Sequence, residues 1–83
     1  MADVVIARAA LKTLAKLPRT MAERLVARIE DVATDPTATR GDVVKLRGRE
    51  GYRLRVGGWR VLFEFRGGTL LVLKIGPRGG VYG

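Results

Sequence analysis

At 83 residues, with no cysteine and no histidine, the chain holds a single domain over 1–83, and any function must share its one small core. A nucleophilic thiol, an imidazole base, a Cys- or His-ligated zinc and a stapling disulfide are all excluded, and the eight carboxylates lack the paired spacing of a metal cage or a glycosidase dyad. No metal or cofactor is therefore expected. The formal charge of +8 is placed unevenly: up to Thr39 there are six basic residues against five acidic, and from Arg40 onward ten against three. Twelve of the sixteen cations are arginine, the side chain suited to bidentate grips on phosphate. A polyanionic partner follows, nucleic acid first; an acidic protein or an anionic membrane surface would attract the same bulk charge. With no apolar run long enough to span a bilayer and no signal-peptide core, a soluble cytoplasmic protein is expected.

After Asp3, Val4-Val5-Ile6 is too short for a helix and too apolar for a free tail, so a strand is expected over 2–6. From Ala7 the apolar spacing becomes helical. Ala7, Leu11 and Leu14, flanked by Ala10 and Leu17, lie apart from Arg8, Lys12 and Lys16, which predicts an amphipathic helix ending at Leu17-Pro18. Thr20-Met21-Ala22-Glu23 has the form of a capping box, which predicts the start of a second helix with Met21, Leu25, Ile29 and Val32 as its apolar stripe and Asp35-Pro36 as its stop. So short a link makes the two an antiparallel hairpin with a shared apolar face.

Residues 36–42 are small and polar and read as a loop, with a short strand over 43–46 beyond it. Arg47-Gly48-Arg49-Glu50-Gly51 then connects into two alternating runs, 52–56 and 59–65, separated by Gly57-Gly58, a strong hairpin signal. A two-residue turn pairs Val56 with Trp59, Leu54 with Val61 and Tyr52 with Phe63, collecting the bulky apolar side chains on one face. The other face receives Arg55 directly opposite Arg60, with Arg53 two residues along. Like charges so placed cost a few tenths to about 1 kcal/mol. The face is either the solvated side of an ordinary sheet or a site that an anion completes.

A second pair, Gly67-Gly68, turns the chain into an apolar strand over 69–75. The register puts Phe65 opposite Leu70 and Phe63 opposite Val72 on the core face, with Leu62 opposite Leu73 and Glu64 opposite Leu71 on the charged face. Beside the arginines this predicts an apolar strip of Leu62, Leu71, Leu73 and Ile75, which helices packed on the far side leave uncovered and which suits a protein partner. The tail has enough glycine to fold back and bring Arg78 and Tyr82 toward the arginines. Tyr82 belongs either to that site or to the edge of the core. Gly76-Pro77-Arg78-Gly79-Gly80 is like a phosphate loop in composition only.

Leu46-Arg47-Gly48, Gly51-Tyr52-Arg53-Leu54-Arg55, the Trp59-Arg60 step and residues 76–82, in β-α-α-β-β-β order over nearly the whole chain, resemble the RelE/ParE toxin superfamily of type II toxin–antitoxin systems, closer to its RelE branch. The resemblance implies an α+β fold, a small antiparallel sheet with a two-helix hairpin packed on one face. It implies a growth-inhibiting toxin, an RNA endonuclease that cuts mRNA in the ribosomal A site by 2′-hydroxyl attack. A cognate antitoxin would neutralise it, in a toxin–antitoxin hetero-oligomer, with no membrane involved. Carried over, the family's catalytic cluster falls on Arg53, Arg55, Arg60, Arg78 and Tyr82; beside it Lys45, Arg47 and Arg49 are expected to bind RNA, and the apolar strip of Leu62, Leu71 and Leu73 is expected to receive the antitoxin.

The chemistry suits the set. Attack of the 2′-oxygen builds charge on a pentavalent phosphorus, which preorganised guanidinium groups stabilise more than the ground state; Arg60 and Arg78 are placed as that clamp. Tyr82 could stack on a base or move a proton, although a phenol's ordinary pKa of about 10 needs lowering by nearby cations. The chain departs from the family pattern where many relatives have lysine at Arg53 or Arg55 and a histidine at Pro77. It also stops one residue after Tyr82, without the C-terminal helix of some relatives. Slower chemistry or heavier reliance on the ribosome for alignment is the expected result. A non-enzymatic DNA gyrase inhibitor of the ParE type and a purely RNA-binding module remain the alternatives.

Overall fold

The computed structural model describes residues 3–35 and 41–77. Arg78, Tyr82 and most of the loop expected over 36–42 lie outside the described residues. The elements run β1 (Asp3–Ile6), α1 (Arg8–Lys16), α2 (Arg19–Thr34), β2 (Val43–Lys45), β3 (Tyr52–Val56), β4 (Trp59–Arg66) and β5 (Thr69–Pro77). The sheet has five strands in the order β1-β5-β4-β3-β2. It is mixed, because β1 runs parallel to β5 while every other pair is antiparallel.

Both helices bury their stripes on one face of this sheet. Leu25, Ile29 and Val32 of α2 pack with Ala10 of α1 against Leu54, Val56, Val61, Phe63, Leu70, Val72 and Ile75. Removing each large side chain of this set from water contributes about 1.5–3 kcal/mol, so two helices suffice for one face and leave none for the other. Along α1 and its C-cap the inward residues are Ala10, Leu14 and Leu17, spaced i, i+4, i+7, whereas Leu11, expected within the stripe, is 51% exposed. Leu11 lies about 100° around the helix from Ala10.

The capping box expected at Thr20 is not used. Leu17 is extended (ψ 155°), as the residue before a proline prefers, and Pro18 itself is the N-cap of α2. The Pro18 carbonyl accepts from the Met21 and Ala22 amides, each at 3.0 Å, so the helix is already under way at Arg19 and Thr20 lies inside it. Asp35 closes the other end, its amide donating to the Asp31 carbonyl at 2.9 Å.

The β3–β4 register is the one the glycine pair dictates: Tyr52 opposite Phe63, Leu54 opposite Val61, Arg55 opposite Arg60 and Val56 opposite Trp59. Only the first glycine of each pair has positive φ, Gly57 at 59° and Gly67 at 57°, the pattern of a type II′ turn. The β4–β5 register holds as expected from Phe65–Leu70 through Phe63–Val72 and then slips, so that Leu62 faces Lys74 and Val61 faces Ile75. Leu73 is the inserted residue of a β-bulge. Ile75, expected on the open face, is thereby turned into the core and is 3% exposed.

Gly51 is buried with φ 109°, and a Cβ built there would stand 2.9 Å from the Phe63 carbonyl oxygen. That obstacle is backbone in the middle of β4 and cannot swing aside. Gly58 has no such neighbour within 4 Å. Gly51→Ala should therefore destabilise the protein by roughly 1–3 kcal/mol, while Gly58→Ala should stay within about 1 kcal/mol of wild type. Urea unfolding of the two variants checks the contrast.

Candidate functional site

The face opposite the helices is built from alternate residues of β3, β4 and β5. In one row across the sheet lie Arg55, Arg60 and Gly76; in the next lie Arg53, Leu62 and Lys74. Alternate residues on one face of a strand are about 7 Å apart and neighbouring strands about 4.8 Å, so these cations occupy a patch the size of one or two phosphate groups.

Each arginine is held differently. Arg60 is half-buried, and its Nη1 donates to the carbonyls of Trp59 at 3.1 Å and Gly57 at 3.3 Å, folding the side chain back over the hairpin turn. Those two bonds use Nη1 alone, which leaves the Nε–Nη2 edge for a bidentate grip on an anion. Arg55 is about half exposed, with a side-chain accessibility of 55%. Its Nη2 donates to Asp42 Oδ1 at 3.2 Å, and its amide donates to the Asp42 carbonyl at 2.8 Å. The second oxygen of Asp42 accepts from Arg28 Nη2 at 2.8 Å, and Arg28 also reaches Asp31 at 3.6 Å. One carboxylate thus ties the open face of the sheet to α2 and offsets the repulsion between Arg55 and Arg60. Arg53 is half-buried, its Nε wholly covered.

Lys45, Arg47 and Arg49, expected to bind RNA, line a single cleft of about 330 Å³ together with Val44, Leu46 and Arg53. Arg53 therefore belongs both to this cleft and to the face that carries Arg55 and Arg60. Arg78 and Tyr82 lie outside the described residues. Among the described residues no three acidic side chains come together as metal ligands would; what the face offers is cations arranged for an anion.

The expected apolar strip is changed. Leu62 is 2% exposed, too buried to be touched by a partner, and Ile75 belongs to the core. Leu71 and Leu73 are half-buried, and Leu71 is paired with Val5 of β1, which is 50% exposed. Sequence reasoning missed three residues here. Val5 was legible in the alternation of the first strand, and Lys74 in the oddity of a lysine at a core parity. Asp42 carried no local signal, since its partners stand 13 and 14 residues away.

Fold and face together define a small α+β protein with a sheet covered by helices on one side and a basic surface on the other. The family model for the ParE toxin of type II toxin–antitoxin systems, parDE, matches residues 4–82, and the chain belongs to that family. Among solved structures it is similar to the archaeal RelE–RelB complex from Pyrococcus horikoshii, at 28% identity and TM-score 0.78, covering 96% of this chain and 98% of that one. The RelB–RelE complex from Methanococcus jannaschii matches at 25% identity and TM-score 0.74, covering 94% of each chain. The intact RelBE complex of E. coli matches at 25% and 0.70, covering 93% of this chain and 96% of that one. Among curated proteins no sequence matches significantly. No helix of the described residues is long and apolar enough to cross a membrane.

The Asp42 bridge makes a testable difference. Asp42→Asn should cost under about 1 kcal/mol for each partly exposed ion pair lost, measured by urea unfolding. It should also free Arg55, so that the variant elutes from a heparin column at higher salt than wild type.

Proposed function

We propose that this toxin is a ribosome-dependent mRNA endonuclease that cleaves by attack of a 2′-hydroxyl on the adjacent phosphorus, acting in the cytoplasm on mRNA in the ribosomal A site. The observation that carries this reading is the arginine row: Arg55 directly across from Arg60, with Arg53 on the same face. Asp42 reaches only Arg55 of this row, so part of the like-charge cost persists, and the charge that builds on phosphorus in the transition state is what the row fits. Arg60 grips the phosphate, with Arg78 from the tail as its partner in the clamp; Arg53 and Arg55 add to the positive field. The cleft lined by Lys45, Arg47 and Arg49 tracks the RNA backbone, and Tyr82 stacks on a base or moves a proton. The ribosome supplies the alignment that the chain's own residues do not. Similarity to RelE structures at 25–28% identity supports the RelE branch.

Transcript 5′ ends mapped after induction in bacterial cells test this. New cuts at codon positions within translated regions, lost in a folded Arg60→Ala variant, are expected; a folded Arg60→Ala that remains fully toxic refutes it. A second reading, a non-enzymatic inhibitor of DNA gyrase, is favoured by the ParE family model and by proline at position 77. Growth arrest and a DNA-damage response with intact messages would select it.

The neutralising partner is a cognate antitoxin, as the RelB-bound neighbours support. Its segment lies over Val5, Leu71 and Leu73 and sets acidic residues among the arginines, so that neutralisation is steric and electrostatic together. Leu71→Asp or Leu73→Asp should weaken antitoxin binding at least tenfold, about 1.4 kcal/mol, in a pull-down or titration. Unchanged affinity in both would place the contact elsewhere.

A further inference from the structure

We propose that Lys74 is a further cation of the phosphate site, contacting the RNA backbone beside Arg53, Arg55 and Arg60; this rests on the RNA-cleaving reading of the arginine face. The β4–β5 ladder carries the inference. An uninterrupted ladder from Phe63–Val72 would set Leu73 opposite Leu62 and drive Lys74 toward the helices. The bulge instead opposes Leu62 with Lys74, and the residues flanking Leu73 and Lys74, Val72 and Ile75, are 0% and 3% exposed within the core. The physical cause lies in the sequence Val72-Leu73-Lys74-Ile75. An ammonium forced among Leu25, Ile29 and Phe63 would lose its hydration without gaining a partner, a heavier penalty than one disrupted ladder position.

The bulge therefore aims Lys74 as well as sparing the core. Lys74 and Arg53 sit on the two sides of Leu62 in one row, their backbones about 10 Å apart across β4. Arg60 is two residues from Leu62 on the same strand face, and the β5 residue opposite Arg60 is Gly76, which puts no side chain beside the guanidinium. Arg60 from one strand and the flexible four-carbon ammonium stem of Lys74 from the next therefore border one stretch of this face. Arginine grips with a planar fork and lysine with a compact point charge, so Lys74 can follow a phosphate whose geometry changes during reaction.

Binding of a labelled single-stranded oligoribonucleotide across a range of salt, followed by anisotropy, tests the contact without requiring cleavage. Each phosphate contact contributes about 0.7 to the slope of log affinity against log salt for a single strand. Lys74→Met and Lys74→Gln should each lower the slope by about that amount, as Arg60→Ala should, and Lys74→Arg should keep it. In the induced-cell assay Lys74→Met should lose roughly tenfold or more of transcript cleavage, and Lys74→Arg should restore most of it. Wild-type slopes in both folded neutral variants overturn the proposal whatever happens to cleavage. A lowered slope in a protein that never cuts transcripts supports the contact and ends the nuclease reading alone. No RNA binding by the wild type overturns both.

Discussion

Two short helices can cover only one face of a five-stranded sheet, and that inequality governs the rest of the molecule. Most of the large apolar side chains that the chain can protect are collected against α1 and α2, so the second face, Leu62 apart, is made of residues that tolerate water. The chain uses arginine there rather than the cheaper threonine or mixed charge pairs. The cost of that choice is lowered locally rather than removed: Asp42 bonds Arg55, the hairpin carbonyls hold Arg60, and a phosphate can still displace or share either arrangement. The open face is preorganised for an anion without being locked shut by its own counter-charges.

A single inserted residue reconciles core and site. β5 has to give Leu70, Val72 and Ile75 to the helices and also present a polar edge beside β4, and strict alternation cannot do both over Val72-Leu73-Lys74-Ile75. The bulge at Leu73 resets the parity. It also explains why the open face is less greasy than alternation implies, since Ile75 leaves it and Lys74 arrives.

Most of this was legible where one strong local rule acted alone. Gly57-Gly58 between two alternating runs fixes the β3–β4 register to the residue, and with it the Arg55–Arg60 opposition; Gly67-Gly68 does the same as far as Val72. Reading failed where two rules competed. At Thr20 a side-chain cap competed with the turn imposed by Pro18, and the proline won because it fixes backbone rather than adding one hydrogen bond. At Leu73 periodicity competed with the cost of burying an ammonium. The parallel pairing of β1 with β5 follows from no local pattern, since it depends on which edge of the finished sheet is open. Of the candidate site, the arginines of the hairpin were readable, while Asp42 became visible only when the loop brought it back to Arg55.

That parallel pairing has a consequence in time. The first strand made lies beside the last, hydrogen-bonded from Asp3 to Gly68 and from Ala7 to Val72, so the longest-range contact in the fold closes only when β5 exists. A nascent chain emerging N-terminus first can form its helical hairpin early, but its first strand stays without a partner and its basic face lacks Gly76 and Lys74 until synthesis has passed residue 77. The toxin therefore completes its basic face only once β5 has joined the sheet, and the order of synthesis keeps that face unfinished until then.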